Sequence, residues 1–408
     1  MVHDDAVSAV DFHSDKQRVV TVSGSIVWIW EAQARREVSR MVHEGGVGTV
    51  VFSPDGQWVV TRGGSTARVW EASTGREVAQ MVHEDAVLAV AFSPDGRWVA
   101  SGYGWWGEET GGAAVWEAVT GKEVARMEHE WWVEDVAFSP DGQWVVMAGG
   151  TTTQVWEVAT GREVARVLHG FTVLDVAFSP DGQWVALGRG DPLSGEVRVW
   201  EAATGQTVAQ MWYDSSVEDV AFSPDGQWVA MGSTDGTARV WEVTTRQEVA
   251  RMKHEWSVET VAFSPDGLWI VTISGSTVRI WEVEKKQEIA RMVHEGAVNA
   301  VAFSPDGQWL ATGSTDGTAR VWEATTGKEV VRIEHEESVQ TVAFSPDGRS
   351  VASGSAGGTG RIWLWRPEDL IAEACARLPR NLKLEEWEQY LPGEPYRPTC
   401  PNLPVPEE

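Results

Sequence analysis

One stretch of sequence recurs nine times along this chain, and its period constrains the fold more than any other feature. In one-letter form it runs approximately M-x-H-E-x-x-V-x-x-V-A-F-S-P-D-G-Q-W-V-A-x-G-S-x-D-G-T-A-R-V-W-E-x-x-T-G-x-E-V-A-R, returning about every 40 residues from Met1 to Trp365. Short β-branched runs between turn signals at that period indicate the blades of a β-propeller, not a solenoid of helices. The copy at 292–332 shows how a blade arises. Its apolar run 298–303 reads as a strand buried on both sides. Ser304-Pro305-Asp306-Gly307 fits a type I turn, with Pro presetting φ. Strands follow at 309–312, at 319–323 after the Asp316-Gly317 turn, and at 329–332 after Thr326-Gly327. The expected fold is all-β: one closed ring of nine blades.

Function must then lie where the copies differ, and composition narrows its class. The 408 residues carry a formal charge of −27. Nucleic acid and anionic membrane are therefore excluded as expected partners, since both need a basic footprint, and a cationic partner is the natural complement. Cys375 and Cys400 are the only cysteines. Both lie in the tail, so no disulfide framework is expected to support the fold. No signal peptide and no run long enough to span a bilayer is present, and the chain reads as cytoplasmic. Nucleophile-elbow, zinc-peptidase, phosphate-loop and C-x-x-C patterns are missing, so a non-catalytic protein without cofactor is expected. His43, His83, His129, His169, His254, His294 and His335 hold one position in successive blades. Fanned around an axis, they stand too far apart to share a metal ion, whose ligand bonds are about 2 Å long.

The repeat resembles that of the WD40 family over about nine-tenths of the chain. The matching elements are the His at each repeat start, the S-P-D-G turn and the strand-three R-V-W. The family ends that strand in Trp-Asp, where this chain writes Trp-Glu, as at Trp70-Glu71 and Trp322-Glu323. The resemblance implies a network within each blade of His, strand-two Ser or Thr, turn Asp and strand-three Trp. Only the eighth blade carries the full set: His294, Thr312, Asp316 and Trp322. The sixth has Asp235 and Trp241 but puts Tyr213 in the His position, and most others lack the Asp, so mainly packing must hold those.

The 25 tryptophans sort by the repeat. Nine lie on strand three and seven on strand two, as core. Off the pattern stand Trp28, Trp105, Trp106, Trp131, Trp132, Trp212, Trp256, Trp365 and Trp387. Six of these fall in the loops joining strand four to the next strand one, or strands two and three, which emerge together at the top of the disc. With Phe171 and Tyr213 they cluster on blades three to seven, where insertions also occur at 104–112 and 189–195. Beside them blades four to seven carry Glu134, Asp135, Asp175, Glu218, Asp219 and Glu259. An aromatic rim next to a carboxylate collar suits a cationic group, each ring face adding about 0.5–2 kcal/mol. The expected function is capture of a basic protein or peptide; the alternative is a constitutive scaffold disc without a specific ligand.

The ends modify this picture. Met1-Val2-His3 aligns with Met41-Val42-His43, so the chain starts mid-repeat, and blade nine is expected to have three strands or to borrow a fourth. The propeller is assigned to 1–366 and a tail to 367–408, with helices expected at 368–378 and 381–391 before a Pro-rich end. The segment R-P-E-D-L-I-A-E-A-C-A-R-L-P-R-N-L resembles the endings of bacterial WD40 proteins in which a caspase-like peptidase or signal-transducing NTPase precedes the propeller. That resemblance implies a sensing module whose upstream effector domain lies outside this chain.

Overall fold

The nine repeats form nine sheets, eight of four strands and the last of three, each strand pairing antiparallel with the next in sequence. This computed structural model describes the chain except residues 14–16, 33–35, 44–45, 106–110, 170–172, 192–193, 367, 370, 373–374, 376–379, 382, 387–397, 399, 401–402 and 405–408, and the side chains of 36, 174 and 191. The ring is closed. Val10, Phe12 and Val19 of blade one pack with Ala352 of blade nine, and no repeat stands outside the series.

Each core lies between two blades. Val60, Val69 and Met81 of blade two meet Val90, Val99 and Trp116 of blade three, with Trp58 of strand two laid against them. Burial of each aliphatic side chain contributes roughly 1.5–3 kcal/mol. Stability is therefore spread around the ring, one nearest-neighbour contact at a time.

The turns explain two constant features of the repeat. In Ser53-Pro54-Asp55-Gly56 the Ser53 hydroxyl donates to Asp55 (2.6 Å) and accepts the Trp58 N–H (3.0 Å). Gly56 has φ +67°, a conformation that a side chain would strain, which is why this position is Gly. The Glu of Trp-Glu also has a local task. Glu71, Glu157 and Glu323 accept the hydroxyls of Thr74, Thr160 and Thr326 at 2.7, 2.6 and 2.6 Å, pinning the turn into strand four. Part of the acidic charge is thus turn chemistry.

Blade nine ends at strand Gly360–Leu364. Its outer edge receives a stub: Val2 bridges Thr359, the His3 N–H donates to Gly358 O (2.7 Å), and the Gly360 N–H to Met1 O (3.1 Å). Two tryptophans sorted as off-pattern prove to be structural. Trp365 takes the place of the small apolar residue after Trp-Glu (Ala72, Ala118) and is 2% exposed. Its ring packs 4.7 Å from Trp309, and its N–H donates to Gly348 O at 3.0 Å. Trp28 replaces the strand-three Arg, buried with its ring 4.3 Å from His3.

The tail turns beneath blade nine, where Arg349 Nε donates to Asp369 at 2.9 Å. Within 368–378 the described residues 368–369, 371–372 and 375 are helical; within 381–391 only 384–386 are. The cysteines, expected to carry no framework, do pair: Cys375–Cys400 closes a loop inside the tail, while the propeller contains none. Asn381 fills that loop, donating to Cys400 O and Leu403 O and accepting the Cys400 N–H, all at 2.9 Å. Among the described residues no helix is long and apolar enough to cross a membrane.

Candidate functional site

The eighth blade carries the expected four-residue network. His294 Nε2 lies 2.7 Å from Thr312 Oγ1, which accepts the Trp322 N–H at 2.8 Å, and His294 Nδ1 lies 3.0 Å from Asp316. These partners fit one tautomer, with Nδ1–H donating to Asp316 and Nε2 accepting the Thr312 hydroxyl. Burial opposes the Asp316 charge, but hydrogen bonds from Thr318 and His294 outweigh it and hold its carboxyl below the usual range. Blades without the Asp are less dependent on packing than expected. His83, Ser101 and Trp116 still form a chain (2.9 and 2.8 Å), as do His335, Ser353 and Trp363 (2.9 and 3.3 Å). In blades four to six the chain from imidazole through hydroxyl to indole is missing, although blade six keeps its Asp, with Asp235 accepting the Thr237 hydroxyl at 2.6 Å. There strand two supplies Met147, Leu187 and Met231 in place of Ser or Thr, and the buried N–H groups of Trp156 and Trp200 lack partners.

Those three blades also carry the half-buried aspartates of the carboxylate collar. Strand one is innermost, so one of its edges has no neighbouring strand. Asp175 accepts the Val220 N–H of the next blade at 3.0 Å, and Asp219 accepts the Val261 N–H of the blade after at 2.8 Å. Asn299 does the same for blade eight, donating to Val339 O at 2.9 Å. These side chains satisfy edge backbone groups that would otherwise need water. Burial, then the nearby Asp175 charge, pushes Asp135 up to about 6; burial, opposed by the Val261 N–H bond, and then Asp175 push Asp219 up to about 7. Asp175 is raised as well, chiefly by burial. The collar therefore holds less negative charge near neutrality than a count of carboxylates suggests. Asp135, Asp175 and Asp219 belong to the inner wall, not to an open rim.

The aromatic set divides too. Trp256 is 71% exposed and Trp105 56%. Trp131 is half-buried, lying over Gly150 of its own blade's two–three hairpin, 5.8 Å from the Trp132 ring. Trp132 was expected outside the core, yet it is 7% exposed and donates to Glu134 at 2.8 Å. Tyr213 is buried, with the Arg239 guanidinium 4.6 Å over its ring. Trp212 lies on strand Thr207–Tyr213, not in a loop, and is 60% exposed on the outer rim. Glu218 and Glu259 are exposed, and Glu134 is half-buried. Trp106 and Phe171 lie outside the described residues. The structure thus leaves Trp105, Trp131, Trp256, Glu218 and Glu259 at the top face, and sends the rest inward or outward.

A charged cluster in blade five escaped the sequence reading. Arg189 and Arg198 both pair with buried Glu196, and Arg189 lies 5.3 Å from the Trp212 ring. Strand pairing places Arg189 opposite Glu196, so a signal existed: two charges facing each other across a hairpin at core positions. Among the described residues no group of His, Cys, Asp or Glu is placed to hold a metal ion.

Residues 162–201, 207–242, 247–282, 287–323 and 327–364 match the family model of the WD domain, G-beta repeat. Residues 6–167, within blades one to four, match the model of eukaryotic translation initiation factor eIF2A. No curated protein matches the chain. The crystal structure of the computationally designed Ika8 protein is similar at TM-score 0.63 and 24% identity, over 89% of this chain and 97% of that one. The C-terminal WD40 domain of Sif2 is similar at TM-score 0.61 and 15% identity, over 88% and 95% respectively. At such identities the likeness to both structures carries the fold alone.

Proposed function

Because this chain is a WD40-repeat β-propeller of nine blades, a kind of protein that generally binds other proteins, we propose that its top face over blades three to seven takes a Lys- or Arg-bearing protein segment. Trp105, Trp131 and Trp256 offer the ring faces, and Glu218 and Glu259 the charge. One observation carries the reading: Trp256, in a loop between exposed Glu255 and Glu259, leaves 71% of its surface in solvent. An indole so placed gains from covering by a cation-bearing side chain and costs solvation while bare. The role is recognition without catalysis, in the cytoplasm. The tail resemblance supports a sensing half that reports to an effector domain.

An array of Lys- and Arg-containing twelve-residue peptides, with Glu-for-Lys counterparts, tests the reading. Wild type should retain the basic peptides, and the pair Trp105→Ala/Trp256→Ala should lose them with its melting temperature unchanged. Equal retention by the double variant would leave the disc as a scaffold. The eIF2A match favours a second reading, a role near translation. Co-sedimentation with ribosomal subunits separates the two.

A further inference from the structure

The chain's one disulfide lies outside the propeller, in a tail whose order rests on little else. Among the described residues, none of the apolar clusters contains a residue beyond Trp365. Of the tail's described apolar side chains, Ile371 and Leu384 are 44% and 45% exposed, and only Cys400 is buried, at 3% exposure. A segment of that kind gains too little from apolar burial to offset the entropy of ordering its backbone, so a cross-link must supply what a core does not.

The polar contacts of the distal tail converge on the same place. Buried Asn381 donates from its side chain to Cys400 O and Leu403 O and accepts the Cys400 N–H. Its backbone N–H donates to Pro404 O at 3.0 Å, and the Leu403 N–H returns to Cys400 O at 3.1 Å. These bonds join the chain around Cys400 to the chain just past Cys375, the two stretches that the disulfide holds together. The seats on the propeller lie earlier. Arg349 Nε donates to Asp369 at 2.9 Å, and Arg366 meets Asp306 at 3.3 Å, both before Cys375. Breaking the bond therefore leaves the seats in place. The two sulfurs also differ in access, since Cys375 is half-buried and Cys400 is buried.

We propose that Cys375–Cys400 is a thiol switch: a protein dithiol opens it, and the tail beyond Cys375 unfolds while the propeller stays folded. One thiolate of the reductant attacks the Cys375 sulfur, and the S–S electron pair leaves on the Cys400 sulfur. The second thiol of the reductant then displaces Cys375 and closes the reductant's own disulfide. The two protons of the dithiol end on the two cysteines. A disulfide of the same class reverses the exchange and refolds the tail. The inference is independent of the top-face reading, because none of that face's residues lies in the tail.

The full chain is tested with dithiothreitol as the dithiol and glutathione as a monothiol. Dithiothreitol without denaturant should release two thiols. Hydrogen exchange at Asn381, Cys400 and Leu403 should then quicken on the order of a hundredfold, the closure entropy lost from a loop of this length. Propeller amides and the main melting transition should not move. Glutathione, quenched early with iodoacetamide, should be found on Cys375 with the alkyl group on Cys400. Cys375→Ser should exchange quickly at the same three amides with or without dithiol. Four results would each overturn the proposal: a bond that survives about 10 mM dithiothreitol, unchanged protection of the reduced tail, loss of propeller protection together with the tail's, or glutathione on Cys400.

Discussion

Replacing His83 by Gln should remove a defined part of the protein's acid sensitivity. His83 is 5% exposed and accepts the Ser101 hydroxyl, which in turn accepts the Trp116 N–H. That chain needs a neutral imidazole. Burial, then the Arg126 charge, lowers its pKa from 6.5 to about 4. Between those values the unfolded chain binds a proton that the folded chain refuses. Stability contributed by neutral His83 is therefore complete above pH 6.5 and lost as pH falls towards 4. At pH 5 the two pKa values correspond to a loss of about 2 kcal/mol from this one site. Gln can accept the same hydroxyl and does not titrate. Urea midpoints of wild type and His83→Gln, measured at pH 7.5 and pH 5, provide the assay. The variant should be the weaker protein at pH 7.5, through imperfect packing against Tyr103, and should lose about 2 kcal/mol less than wild type on acidification. A difference between the two proteins that does not change with pH would refute the argument, because it would mean that the imidazole reaches solvent before the blade opens.

Three further outcomes follow from the geometry. Thr312→Val removes the hydroxyl shared by His294 and Trp322, leaving two buried polar groups without it, and should cost about 1–3 kcal/mol in a denaturant melt, whereas Thr312→Ser should cost little. Trp365→Ala empties the contact with Trp309 and Phe344 between blades eight and nine and should cost about 3–5 kcal/mol, read as an early thermal transition. Asp219→Asn keeps an acceptor for the Val261 N–H and removes a carboxylate whose pKa burial raises to about 7. Because the folded value lies above the unfolded one, wild type loses stability as pH rises through 7, so the variant should be the more stable protein at pH 8 and gain nothing at pH 4.

The architecture was legible because a β-strand writes its environment with period two and a turn writes its geometry in residue type. Nine S-P-D-G turns or close variants, with apolar runs between them, define strands, order and faces without reference to any partner. The eighth-blade network was legible for the same reason: His294, Thr312, Asp316 and Trp322 each hold a fixed place in the repeat. Blade nine could be counted as short by one strand from its missing E-V-A-R. The stub of Met1, Val2 and His3 was legible only as an alignment, since its pairing with Thr359 depends on how far the ring turns before it closes. The tail disulfide was not legible, because two cysteines 25 residues apart in a segment without repeats carry no geometric information.

The candidate face was legible only in part, and the reason is directional. Repeat position identifies the loop a residue occupies but not whether its side chain turns to solvent, to its own blade or to the next. Trp131 and Trp132 are adjacent in sequence, yet one lies over Gly150 and the other is buried against Glu134. Trp212 and Tyr213 are adjacent too, but strand four carries them to opposite faces, one outward and one beneath Arg239. The collar divides by the same alternation. Glu218 points to solvent, while Asp219, one residue on, satisfies the Val261 N–H of the next blade. A strand-one carboxylate at the Asp position is thus first a device for joining blades, because an unpaired inner edge is common to every propeller strand one. Only the alternate set, Glu218 and Glu259, is at liberty to meet a ligand. Period two, applied to charges as it is applied to apolar residues, would have separated exposed carboxylates from joining ones in the sequence itself.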